Sequence, residues 1–388
     1  MSDNRRRGTV LIAVGLLCLA GVLVGGRVLF TKYFPPMEQF KKGFDPYMVV
    51  DPNRPGHYGL VPGFSFTLQG LIQDRTEQGR DLSLAHIREA ATQLGYGPND
   101  IVFSIDADGF KGPEIDRTHQ HPRLLMLGDS CTFGSVFDRY SYPRVVEQEL
   151  KHRGPEYEVV NGGVEGYSPF NVLAEMPKYL GLKPDLVTIY IGWNALYRQS
   201  LELGTDQKGL ESPIKGLFRR ANEGFHILVF GKRRYALWQF YKTRVPDRQA
   251  PELKILENYR PPVLDEVEKI ATQFKTSGAK VALMTLPGIY LMDEEPTATA
   301  LMKGHLPPYT NNPYVLAKVT ERYNIGIREL AKKLDVQLID LDLWGRTALA
   351  PRDATFFDSV HLYEEGQVKL GKFVAEQLFP SGASPGGN

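Results

Sequence analysis

From residue 122 onwards, five short apolar runs alternate with stretches of helical spacing, and this alternation dictates a parallel sheet. The runs are "RLLMLGD" (123–129), "YEVVNGG" (157–163), "PDLVTIYIGWN" (184–194), "KVALMTLPG" (280–288) and "VQLIDLD" (336–342). The first and third are nearly continuous in Leu, Met, Val and Ile, the pattern of strands covered on both faces. Helical spacing between and after them falls at 142–152, 171–180, 263–278, 319–335 and 364–379. The expected fold is therefore α/β, a three-layer α/β/α sandwich around a five-stranded parallel sheet. Such sheets hold ligands beyond the carboxyl ends of their strands. Three polar, glycine-bearing segments lie there: "GDS" (128–130), "NGGVEGYS" (161–168) and "GWN" (192–194).

Upstream, the chain changes character. Residues Thr9–Gly26 carry no charge and would span about 27 Å as a helix, at roughly 1.5 Å per residue. With Arg27 snorkelling and Val28–Phe30 added, 9–30 reads as a transmembrane signal-anchor, ahead of a cleaved signal peptide or a buried helix. Leu17 before Cys18 argues against a lipoprotein cleavage box. Arg5, Arg6 and Arg7 favour a cytoplasmic 1–8 tail, a vote weakened by Arg27, Lys32, Lys41 and Lys42 on the other flank. The main domain is then expected outside the cytoplasm, on the periplasmic or cell-surface side. Residues 31–121 are punctuated by "FPPM", "DPNRPGHYGLVPG" and "GYGPND", with helical spacing at 82–94. They read as a loop-rich juxtamembrane extension folded onto a main domain at 122–380, with 381–388 a flexible tail. "DADGF" (106–110) lacks the third acid and the distant Glu of a calcium loop and reads as a tight turn.

A net charge of +1 argues against nucleic acid as a partner. The two cysteines, Cys18 and Cys131, give neither a disulfide framework nor metal-ligand spacing. No H-E-x-x-H, P-loop or G-x-G-x-x-G motif calls for a metal or cofactor, and none is expected. If Ser130 is a nucleophile it needs a base. His57, His86, His119, His121 and His152 sit in polar surface contexts or before the second strand, His226 in a long interruption, and His305 in the loop "KGHLPPY". His361 differs, because "FFDSVHLYEEG" sets Asp358 three residues before it, immediately ahead of the last helix. Ser168 lacks the closing glycine of a G-x-S-x-G elbow and is set aside.

On these residues the chain resembles the SGNH, or GDSL-type, hydrolases over about 122–380. Ser130 of "GDSCTFG", Gly166 of "NGGVEGYS", Asn194 of "IGWN", and Asp358 with His361 of "DSVH" match that family's four blocks in order. Two positions depart: Cys131 stands where Leu is usual, and Ala195 follows Asn194 where an Asp commonly helps to orient the loop. The resemblance implies a flavodoxin-like sheet, a Ser130–His361–Asp358 triad, and an oxyanion hole of the Ser130 and Gly166 backbone N–H groups with the Asn194 amide. It implies a serine esterase acting on an acyl ester of carbohydrate or lipid, such as an O-acetyl polysaccharide. The alternatives are an O-acyltransferase using the same triad and a non-catalytic binding or assembly module. The insertion at about 196–262, with "FRRANEGFHILVFGKRRYALWQFYKTR", reads as a helical cap, a membrane-resting patch, or a partner-binding or structural insert. No protein partner is identified. A second wall of the cleft is expected from "LPGIYLMDEE" and "HLPPYTNNPY".

Overall fold

The computed structural model describes residues 45–51, 57–77, 81–153, 156–198 and 244–380. The 1–8 tail, the 9–30 span, His226, residues 199–243 of the insertion and the 381–388 tail lie outside these. Among the described residues no helix is long and apolar enough to cross a membrane.

The extension holds more regular structure than its punctuation predicts. Strands β1 (Met48–Val50) and β2 (Tyr58–Leu60) pair antiparallel, as do β3 (Ser65–Thr67) and β4 (Ile101–Ser104). Helices Leu68–Glu77 and Asp81–Leu94 lie between the last two. Strands of three or four residues are too short to display an alternation, so the sequence shows only the second helix. Their buried side chains join the same apolar cluster as the main domain. Tyr47 stacks on Phe133 at 5.7 Å between ring centres, and Phe103 meets the same ring edge-on at 5.8 Å.

The main sheet runs through β5 (Arg123–Gly128), β6 (Glu158–Gly163), β7 (Leu186–Tyr190), β8 (Lys280–Met284) and β9 (Gln337–Ile339). Their order is β6-β5-β7-β8-β9, with every pair parallel. Every residue of β5 and β7 is buried, as continuous apolar runs require. The right-handedness of parallel crossovers then sorts the helices. Helix Tyr142–Arg153 carries the chain from β5 leftward to β6 and occupies one face, where helix Glu364–Leu378 packs on it. The crossovers running the other way put Pro169–Ala174, Val263–Thr276 and Pro313–Leu334 on the opposite face, where they pack together. Helix Val263–Thr276 shows why: Val263, Leu264, Val267, Ile270, Ala271 and Phe274 form one buried stripe.

Two local expectations are corrected. "VQLIDLD" leaves the sheet at Ile339, because the Asp340 side chain accepts from the Leu343 N–H and caps helix Leu341–Ala348. The helix expected at 171–180 is two, Pro169–Ala174 and Met176–Gly181, meeting at Glu175, with Pro177 in the first turn of the second.

Candidate active site

Register aligns the carboxyl ends of three strands: Gly128 lies opposite Gly163 on β6 and Tyr190 on β7. The first residues beyond those ends therefore share one edge. Ser130 opens a single helical turn, Ser130–Phe133, whose N-cap is Asp129; Asp129 Oδ1 accepts from the Cys131 N–H at 2.9 Å. His361 and Asp358 arrive from the far end of the chain in a turn closed by the Phe356–Leu362 bridge. Asp358 Oδ1 accepts from the backbone N–H groups of Val360 and His361, both at 2.9 Å, which fixes the carboxylate before it meets the ring. Its Oδ2 then lies 2.7 Å from His361 Nδ1, and His361 Nε2 lies 2.7 Å from Ser130 Oγ. Phe357 stacks nearly parallel on the imidazole, with ring centres 5.2 Å apart.

The electrostatics follow from burial and neighbours. Burial pushes Asp358 up, but the His361 charge and hydrogen bond, aided by His305 and the Val360 N–H, hold it well below the usual carboxylate range. Burial lowers His361, yet the Asp358 charge and hydrogen bond, with the charges of Asp129 and Glu165, leave it raised above 6.5. Burial takes Asp129 up to about 6; its Oδ2 is buried and accepts no hydrogen bond among the described residues. Cys131 is buried, its Sγ 3.5 Å from the Val360 carbonyl, so it packs the serine turn against the Asp-His turn. Burial holds its thiol well above the ordinary range, and so neutral.

The loops after β6 and β7 are tied together where Asn194 Nδ2 donates to the Tyr167 carbonyl at 3.0 Å. An amide nitrogen carries two N–H groups, so this bond orients the Asn194 side chain and leaves its second proton for an acceptor. That orienting contact stands where Ala195 offers no carboxylate. Gly166 has φ +77°, a conformation suited to glycine, and an added Cβ would sit 2.6 Å from the Tyr58 hydroxyl. Ser168, set aside as a nucleophile, caps helix Pro169–Ala174 with Asn171 as its reciprocal partner.

Sequence reasoning missed four contributors. Tyr47 donates to Glu165 Oε2 at 2.7 Å and Tyr58 donates to the Glu165 carbonyl at 3.1 Å, so the extension braces the turn before Gly166. Lys111, buried in the domain, donates to the Phe133 carbonyl at 2.9 Å and the Ser135 carbonyl at 2.5 Å, closing the far end of the serine turn. His305 Nδ1 lies 3.8 Å from Asp358 Oδ2, and burial holds that imidazole below its ordinary value. Only His305 had a local signal, its place in a loop expected to wall the cleft. Among the described residues no group of three His, Cys, Asp or Glu side chains could hold a metal.

The family model for GDSL-like lipases and acylhydrolases matches residues 126–369. An arylesterase from Vibrio mimicus is 36% identical over 74 residues, which is 19% of this chain and 37% of that protein. The match thus spans little more than a third of that curated relative. Among solved structures, the acetyl xylan esterase AlAXEase is 16% identical, covering 66% of this chain and 97% of that one, with a TM-score of 0.38. A catalytic mutant of Axe2, an acetylxylan esterase from Geobacillus stearothermophilus, is 16% identical over 66% and 94%, with a TM-score of 0.40. TesA is 17% identical over 66% and 98%, with a TM-score of 0.40.

Proposed function

The chain belongs to the GDSL-like lipase/acylhydrolase family, and from that membership we propose that it cleaves an O-acyl ester with Ser130 as nucleophile. The observation carrying this reading is the unbroken relay from Ser130 Oγ to His361 Nε2 and from His361 Nδ1 to Asp358 Oδ2, each link 2.7 Å. Ser130 Oγ attacks the acyl carbonyl while His361 Nε2 takes its proton. Asp358 holds the tautomer that leaves Nε2 open and stabilises the imidazolium as it forms. Collapse of the tetrahedral adduct breaks the bond to the alcohol, which leaves with the proton from His361. Water then repeats the sequence in reverse roles, releasing the carboxylic acid and restoring Ser130. The negative oxygen of each adduct is received by the Ser130 and Gly166 N–H groups and the Asn194 amide. Each such donor is worth about 3 kcal/mol at the transition state.

The substrate proposed is a short acyl ester, an O-acetyl group on a carbohydrate of the cell envelope, with the domain held outside the cytoplasm by the 9–30 span. The uncharged Thr9–Gly26 run supports that placement. An intact relay supports an enzyme over a binding module, because binding alone does not require a serine, a base and an orienting acid in line. Acetate release from acetylated polysaccharide by the full chain, compared with release of a long fatty acid from a lipid ester, tests the substrate class. Faster lipid cleavage would overturn the acetyl assignment. Appearance of the acetyl group on an added sugar rather than as free acetate would make the protein a transferase.

The raised His361 also sets the pH dependence. Activity requires the neutral imidazole, so the acidic limb of kcat/KM should have its midpoint above pH 6.5. Asp129→Asn removes one of the charges that raise it and should move that midpoint to lower pH. Stability runs the other way: the raised value contributes fully below pH 6.5 and is lost as pH climbs through the folded-state value. A pH–rate profile beside denaturant midpoints across the same range checks both signs.

A further inference from the structure

Asn194 and Arg198 are four residues apart on helix Trp193–Arg198, so they share a face, separated by about one turn or 5 Å. Arg198 is exposed, and its Nη2 lies 3.6 Å from where a Gly166 Cβ would stand. Its guanidinium also interacts with the Tyr58 hydroxyl, which itself sits over Gly166. A cation and a phenol hydroxyl therefore stand beside the oxyanion glycine, one turn out from the oxyanion amide. Among the described residues no carboxylate lies within 4.0 Å of Arg198; the neighbouring Glu165 instead takes its hydrogen bond from buried Tyr47. The fork of donors on a guanidinium suits a carboxylate, and this one is exposed beside Gly166.

We propose that Arg198, oriented by the Tyr58 hydroxyl that accepts from it, forms an anion subsite that selects esters carrying a carboxylate near the scissile bond. The proposal rests on the ester-cleaving reading and narrows its substrate class to anionic esters. The carboxylate belongs to the acyl group, as in a half-ester of a dicarboxylic acid, or to the alcohol, as in an acetylated uronic acid. Both offer the same chemistry to the guanidinium.

The test compares kcat/KM of the full chain on two matched pairs. The first is 4-nitrophenyl hydrogen succinate against 4-nitrophenyl butyrate, with the charge on the acyl side. The second is O-acetylated methyl glucuronoside against O-acetylated methyl glucoside, with the charge on the alcohol side. In one pair the anionic ester should be preferred, and Arg198→Gln should cut that preference about tenfold or more, with Arg198→Lys keeping part of it. The responding pair identifies which side bears the charge. Equal preferences in wild type and Arg198→Gln for both pairs would overturn the subsite while leaving ester cleavage intact. Failure of every ester would instead strike the ester reading. The subsite is then read without turnover, by calorimetric titration of succinate and methyl glucuronoside into the full chain and Arg198→Gln. Weaker binding of either anion to the variant upholds the subsite, and equal or absent binding overturns it.

Discussion

Ser130→Ala should lower kcat/KM on 4-nitrophenyl acetate by about 10⁴-fold or more, while the chain stays folded. The size follows from the neighbourhood. No other nucleophile stands in the relay to inherit the reaction: the Cys131 thiol is buried and held neutral, and Ser168 Oγ is engaged with Asn171 as a helix cap. What remains is stabilisation by the proposed oxyanion donors, the backbone N–H of residue 130 included, acting on a water-mediated attack. The folded state loses one hydrogen bond to His361, worth about 1 kcal/mol, and alanine is at ease in the first turn of a helix. Circular dichroism should therefore be unchanged and the melting temperature only slightly lowered. A fluorophosphonate should label wild type on the peptide containing Ser130 and leave the variant unlabelled. Undiminished turnover in a folded Ser130→Ala protein would move the nucleophile elsewhere and end the proposed mechanism.

Much of this site is legible in the sequence, for a physical reason. A buried parallel strand must be apolar throughout, so "RLLMLG" announces β5 and, with it, the edge where Ser130 emerges. Asp358 and His361 are legible as a pair because one turn builds both, the carboxylate taking the His361 N–H and the His361 ring together. The contacts that brace the site are different in kind. Tyr47 reaches Glu165 across 118 residues and Tyr58 across 107, and neither belongs to a periodic pattern. Lys111 reads as a surface lysine in a turn-rich stretch, yet it is buried against the carbonyls of the serine turn. Arg198 was within reach of the spacing rule from Asn194. An insertion beginning at about 196 obscures it, because helix Trp193–Arg198 runs past that point.

Gly163→Ala should destabilise the protein by about 3 kcal/mol or more and should inactivate whatever fraction folds. Gly163 ends β6 directly beneath the serine turn. A Cβ there would lie 2.1 Å from the Phe133 nitrogen, 2.5 Å from the Thr132 carbonyl carbon and 2.8 Å from the Phe133 Cα. All three are backbone atoms, so no side chain can rotate away; either β6 or the turn must retreat. The turn is the less free to do so, since Lys111 and the Asp129 cap grip its two ends. Its backbone also sits under Ser130, so a retreat of about 1 Å carries the nucleophile out of line with His361, and misplacement of that order costs about 100-fold in rate. Gly181→Ala provides the control. Gly181 ends helix Met176–Gly181 with nothing within 4 Å of a built Cβ, and its variant should stay within about 0.5 kcal/mol of wild type with full activity. Denaturant melts of the two variants, followed by kcat on the folded fraction of each, measure both effects. A Gly163→Ala protein as stable and as active as Gly181→Ala would mean that the serine turn does not rest on β6, and the placement of Ser130 would need another support.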